Sequence, residues 1–194
     1  MMDFSLSLFL AYLVGSIPFG LVVTRLAGLG DIRSIGSGNI GATNVMRTGK
    51  KSLAVATVIL DGGKGAAAIF IASYVLPDQQ IGWIGFAAVC GHCFPVWLKF
   101  RGGKGVATGL ASIALLSWQA GIVMALSWLI TAKLSKISSL AALTGYGICL
   151  IWIAVMQPQH SLAMVAIIAL SVIRHHENIG RLWRGEESRF SAKK

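Results

Sequence analysis

Charge is scarce in this 194-residue chain: Asp, Glu, Lys and Arg together are 12% of it, and only seven residues are acidic. A soluble domain carries about a quarter charged residues. With 55% hydrophobic side chains and a mean hydropathy of +0.73, the chain has too little polar surface to cover itself in water. Its expected solvent is lipid. No long polar stretch could form a separate soluble domain, so residues 1–194 are read as a single domain. Cysteine is also scarce. Cys90, Cys93 and Cys149 cannot make a disulfide framework, and the Cys90–x–x–Cys93 pair has no second pair to complete a zinc site. They are expected as buried helix cysteines. No other cluster has metal-ligand spacing, so no metal and no cofactor are expected. A basic n-region is missing ahead of the first apolar run, at 4–23, so that run is expected to be a span rather than a signal peptide.

What the chain has in excess is positive charge, net +10. Membrane proteins collect Lys and Arg in cytoplasmic loops, against anionic lipid. That accounts for the basicity better than nucleic acid, and no nucleic-acid partner is expected. Apolar runs lie near 4–24, 52–76, 81–99, 106–118, 120–132, 138–156 and 161–173, which predicts an all-α, polytopic membrane protein. About seven transmembrane helices, with the N-terminus outside and the C-terminus inside, follow from length and charge. This arrangement puts 16 of the 17 Lys and Arg inside, including Lys193 and Lys194, with Lys64 the remaining one. The runs 106–118 and 120–132 are short for a bilayer of roughly 30 Å. Merging them into one helix would send Lys133, Lys136 and the basic tail outside, so two short helices with a turn near residues 117–121 are preferred.

Three polar segments then share the inner face. The first, DIRSIGSGNIGATNVMRTGKK at 31–51, interleaves Gly36, Gly38 and Gly41 with Ser37, Asn39, Thr43 and Asn44 and ends in Arg47. Glycines let backbone N–H groups converge, small hydroxyls and amides add donors, and Arg supplies a forked cation; the set suits a phosphate. A flexible juxtamembrane loop touching lipid head groups explains such a segment about as well. A Walker-type GxxxxGK[ST] loop is absent. The second, GHCFPVWLKFRGGKGVATG at 91–109, brings Gly102, Gly103, Lys104 and Gly105 to the start of another helix, with Thr108 inside it and His92 deeper. His92 alone is more simply a packed histidine, although ionisable groups in a membrane are costly. The third, RHHENIGRLWRGEE at 174–187, would place Arg174, Asn178 and Arg181 on one face of a continuing helix, with His175 beside them. A basic tail on lipid covers Arg184, Arg189, Lys193 and Lys194 but not the compact His175, Asn178 and Arg181 set. Within the second span, Asp61 and Lys64 are three residues apart and can pair, which lowers the cost of both charges in lipid.

GSGNIGATN with Arg47, GHCFPVWLKFRGGKGVAT and RHHENIGRLWRGEE resemble, in order and spacing, the three signature segments of the bacterial acyl-phosphate:glycerol-3-phosphate acyltransferase family. The resemblance runs over nearly the whole chain. It implies a multi-pass protein of the bacterial inner membrane, active on the cytoplasmic face. The expected reaction moves a fatty acyl group from acyl phosphate to the 1-hydroxyl of sn-glycerol 3-phosphate. The products are lysophosphatidic acid and phosphate, in phospholipid biosynthesis. Carried over by position, the site residues are Ser37, Gly38, Asn39, Gly41, Thr43, Asn44 and Arg47, then His92, Gly102, Gly103, Lys104, Gly105 and Thr108. From the third segment come His175, Asn178, Arg181 and Glu187, and Ser139 comes from a Ser-Leu-Ala-Ala stretch. The doubled His175, His176 and Glu186, Glu187 leave the third register open by one.

Ser37, Arg47, Lys104 and His175 are expected to be catalytic, and the others to bind substrate. Arg47, Lys104 and the glycine-loop N–H groups are assigned to acyl phosphate; Arg181, Asn178 and His175 are assigned to glycerol phosphate. His175, near its ordinary pKa, or a substrate phosphate oxygen is the candidate base. The His-x4-Asp pattern of thioester-using acyltransferases is absent after all four histidines. Two other classes fit the composition. A transporter for phosphate-bearing anions would use the broken helices and mid-span charges; a structural protein would only hold anionic lipid.

Overall fold

The computed structural model describes residues 3–190, so Lys193 and Lys194 lie outside the described residues. Every regular element among the described residues is helical. Asp3 opens α1 (Phe4–Gly15) by accepting the Leu6 N–H at 2.9 Å, and Pro18 breaks the run before α2 (Phe19–Leu26). Then come a short α3 (Ala42–Met46), α4 (Lys51–Ala72) and α5 (Asp78–Cys93), which stops at Phe94 and Pro95 before a single 3-10 turn at Val96–Leu98. The remainder is α6 (Val106–Leu116), α7 (Trp118–Ser135), α8 (Ser138–Met156), α9 (Ser161–Ile173) and α10 (His176–Trp183).

Four segments, Phe4–Leu26, Lys51–Ala72, Asp78–Leu98 and Ser138–Met156, are long and apolar enough to cross a membrane. The pair α9 and α10 makes a fifth if taken as one bent span. Length and composition therefore support a multi-pass membrane protein but stop short of seven spans. The expected break in the 106–132 run is present: Ser117 ends α6 and caps α7 through its hydroxyl. The two helices then fold back on each other so tightly that a Cβ on Gly121 would meet the Ala114 Cβ at 2.5 Å. One expectation is corrected. The last helix does not continue through Arg174 and His175 but turns by 57° there. Arg174 consequently leaves the face of Asn178 and Arg181, and its guanidinium donates to the Gly102 and Gly103 carbonyls, both at 3.2 Å.

Lipid tails are as apolar as leucine, so helices in a membrane associate through close packing of small residues. Here α1 and α5 touch backbone to backbone. A Cβ on Gly15 would fall 2.1 Å from the Ala88 carbonyl oxygen, and one on Gly91 2.1 Å from that of Tyr12. The core gathers Val89, Cys93, Ile113, Met124, Tyr146, Met164 and Ile167 from α5 to α9. Phe9, Phe70, Leu126, Ile151 and Leu162 face outward, as a protein solvated by lipid requires.

Candidate functional site

The first loop is organised by Asn44, which is buried. Its amide donates to the Ile32 carbonyl at 2.7 Å and the Ile35 carbonyl at 3.2 Å, while its side-chain oxygen accepts the Ser37 N–H at 3.1 Å. Gly36 makes the crossing possible: it sits at φ +56°, where a Cβ would lie 2.4 Å from the Asn44 oxygen. Asn39 accepts the next N–H, that of Ile40, and Thr43 shares a hydrogen bond of 2.9 Å with Ser138. Arg47, at the end of α3, reaches Ser188 of the C-terminal stretch at 2.5 Å.

The second loop works differently from the expectation. The N–H groups of Gly102 and Gly103 already donate to the Cys93 and His92 carbonyls at 3.1 and 3.0 Å, so they are not free for a phosphate. Their small size is what matters: a Cβ on Gly103 would lie 2.0 Å from His92 Nε2, and one on Gly102 2.2 Å from the His92 carbonyl oxygen. Gly105, at φ +81°, abuts Ser171. Thr108 is buried and donates to the Asp61 carbonyl at 2.7 Å, tying α6 to α4. The fold thereby holds Lys104 out toward the third segment, where its ammonium meets the Asn178 side-chain oxygen at 2.5 Å.

The third segment closes on itself. Glu187 accepts from Arg181 at 2.7 Å, Asn178 at 2.8 Å and Ser139 at 3.0 Å. His175 is buried, whereas His176 is exposed and Glu186 pairs with Arg184 at the surface, so the structure turns His175 and Glu187 inward. His175 Nδ1 lies 2.7 Å from the Ser171 carbonyl, which can only accept. The ring therefore carries its proton on Nδ1 and leaves Nε2 as an acceptor.

One cavity of about 410 Å³ joins these segments. Ser37, Asn39, Gly41, Thr43, Asn44 and Arg47 line it from the first, His92 and Lys104 from the second, and His175, Asn178 and Glu187 from the third, with Ser139 from α8. Six expected residues lie elsewhere or behind the wall. Gly38 and Gly102 face a shallower hollow with Arg33, Arg101 and Arg174, while Gly103, Gly105 and Thr108 pack behind Lys104. Arg181 stands behind Glu187. Sequence reading missed the other half of the cavity, an apolar arm of Val58, Val106, Leu110, Met124, Trp128 and Leu129, and the contributions of Ser138, Ser188 and Phe190. Ser138 precedes the Ser-Leu-Ala-Ala stretch and was within reach of that signal; the hydrophobic residues look like any lipid-facing helix.

Burial pulls the Lys104 ammonium down to about 8, with Arg181 adding repulsion and the Glu187 carboxylate opposing. Burial likewise pulls His175 down to about 4, below the near-neutral value expected, so the ring is neutral at pH 7. For Glu187 burial pushes upward, but hydrogen bonds from Arg181, Asn178 and Ser139 outweigh it and hold the carboxyl below its usual range. The site thus offers cations and amide donors at one end, a neutral imidazole acceptor beside them, and an apolar slot at the other. That combination fits a molecule with an anionic head and a hydrocarbon tail.

Residues 5–185 match a protein-family model described as glycerol-3-phosphate acyltransferase. A curated protein of that description from Paramagnetospirillum magneticum is 51% identical over 187 residues, covering 94% of this chain and 92% of its own. Another, from Mesorhizobium japonicum, is 51% identical over 189 residues, covering 97% and 96%. Among solved structures, the crystal structure of PlsY (YgiH), an integral membrane glycerol 3-phosphate acyltransferase in its glycerol 3-phosphate form, superposes with a TM-score of 0.90. It is 37% identical to this chain, with 97% of this chain and 96% of that one covered.

Proposed function

The chain belongs to the glycerol-3-phosphate acyltransferase family, and from that premise we propose that it transfers a fatty acyl group from acyl phosphate to the 1-hydroxyl of sn-glycerol 3-phosphate. It is an acyltransferase of phospholipid synthesis in a multi-pass membrane protein. The observation that carries the reading is the single cavity whose polar end takes residues from all three segments and whose other end is hydrocarbon.

In the reaction the hydroxyl oxygen bonds to the acyl carbonyl carbon, the bond from that carbon to the phosphate oxygen breaks, and phosphate departs. Arg47 and Lys104 supply positive charge to the phosphate ends, and Asn178, held by Glu187, orients beside them. Because Lys104 meets Asn178, it serves the third segment as much as the first, and the division of the two phosphates between loops gives way to one shared electropositive end. Ser37, whose hydroxyl has no hydrogen-bond partner among the described residues, donates to a substrate oxygen. His175 accepts the attacking hydroxyl through Nε2, but a ring with a pKa of about 4 is too weak to keep the proton. The proton ends on the departing phosphate, whose oxygen becomes strongly basic as its bond to the acyl carbon breaks, so that it leaves as hydrogen phosphate. Preorganised charge and alignment supply the acceleration.

Seven spans in one domain, the N-terminus outside, the site on the cytoplasmic face and a bacterial inner membrane complete the proposal. The distribution of Lys and Arg supports it. Purified protein in lipid nanodiscs should convert acyl phosphate and glycerol 3-phosphate into lysophosphatidic acid and phosphate with a chelator present. Product from acyl thioester but none from acyl phosphate refutes the donor assignment.

A further inference from the structure

Beneath the cavity, three ionisable side chains that the reaction above does not use meet inside the helix bundle. Lys64 on α4 is 4% exposed, Asp61 one turn before it 2%, and His92 on α5 5%. The Lys64 ammonium has three N–H groups, and each has an acceptor: the Ile17 carbonyl at 2.8 Å, Asp61 Oδ1 at 2.8 Å and His92 Nδ1 at 2.9 Å. Ile17 lies in the break before Pro18, so one ammonium pins the first, second and third spans at a single depth.

An ion pair alone would need no histidine. An ammonium, however, donates and cannot accept, so the nitrogen facing it must present a lone pair. Asp61 Oδ1 is 3.6 Å from the same nitrogen, too far to hold a proton there. The His92 proton therefore sits on Nε2, which has no hydrogen-bond partner among the described residues. His92 and Asp61 line the cavity, and the ring edge at Nε2 lies against Gly103, next to Lys104. The Asp61 backbone carbonyl holds Thr108, on the helix that follows Lys104.

We propose that Lys64 and Asp61 are positioning residues that lock His92 in its Nε2–H form, so that His92 presents an N–H donor to the substrate in the cavity while bracing the Lys104 loop. His175 carries the opposite tautomer, and the cavity so obtains one imidazole donor and one imidazole acceptor on different walls. This assignment rests on the acyltransferase reading for the donor's target, but the tautomer itself does not.

The test has two arms. Nitrogen-15 NMR of histidine-labelled protein in nanodiscs, at alkaline pH and in a His160→Gln background, reads His92, His175 and His176. The latter two lie with Nδ1 against backbone carbonyls. One Nε2–H signal is expected; three Nδ1–H signals overturn the proposal, whatever the protein catalyses. In the second arm the double variant Asp61→Asn, Lys64→Met removes both charges together, so that no uncompensated charge is left in the membrane. It should keep its KM for glycerol 3-phosphate within about threefold and lose kcat by at least about tenfold, as misalignment predicts. Wild-type kcat in the double variant overturns the proposal. If the double variant cannot be recovered folded, the tautomer measurement on the Asp61- and Lys64-intact protein decides alone.

Discussion

Lys104 offers the sharpest pH experiment. Its ammonium is half-buried among Arg181, Arg174 and Glu187, and burial lowers its pKa to about 8. A lysine at the ordinary 10.5 stays charged across the neutral range; this one is about 90% protonated at pH 7 and about 10% at pH 9. The charged form is the useful one, so activity is present below about 8 and falls as pH rises through it. The substrate phosphates, with second pKa values near 6, do not titrate in that window. Because kcat/KM reports the free enzyme, it should drop about tenfold between pH 7 and pH 9, measured as phosphate release from acyl phosphate. The kcat limb should lie at higher pH, since bound phosphate favours the ammonium. Lys104→Met removes the charge altogether. A unit charge at about 4 Å from a phosphate oxygen, in an effective dielectric of about 20, contributes about 4 kcal/mol, or about a thousandfold in rate. A flat kcat/KM from pH 7 to 9, or a Lys104→Met enzyme above a tenth of wild type, refutes the role given to this side chain.

Glycine size in the second loop can be separated from glycine content. Gly103→Ala, whose Cβ would fall 2.0 Å from His92 Nε2, should abolish acyl transfer, while Gly147→Ala on α8, with nothing within 4 Å, should leave activity and thermal stability within error. Glu187→Gln removes the charge that accepts three hydrogen bonds, and should lower stability by about 2–3 kcal/mol, read as an earlier thermal transition. Since the Glu187 carboxyl is held below its ordinary 4.5, its stabilisation is present above that value and is lost as pH falls below it. Glu187→Gln should erase that acid sensitivity. In a background without Cys90, Cys93 and Cys149, an impermeant maleimide should label Gln159→Cys in intact spheroplasts, and Arg184→Cys only after permeabilisation; the reverse pattern refutes the proposed orientation.

Hydrophobicity and helix punctuation are local properties, and they are legible along one dimension. The lipid solvent, the break before Pro18, the turn at Ser117 and the gathering of Arg47, Lys104 and Arg181 toward one side all follow from residues close together in the chain. What Lys104 touches does not follow from its neighbours: Asn178 is 74 residues away, and their meeting depends on how α6 and α10 are rotated and tilted. Small-residue contacts such as Gly15 on Ala88 and Gly121 on Ala114 set those rotations, to within a fraction of a side chain. The same three-dimensional packing turned Gly102 and Gly103 from presumed phosphate donors into spacers and bent the last helix at Arg174. It also brought Trp128 and Phe190 together over an apolar slot that composition alone assigns to the lipid face. A motif announces which groups a site owns; the distances that make them act together are a property of helices packed against helices.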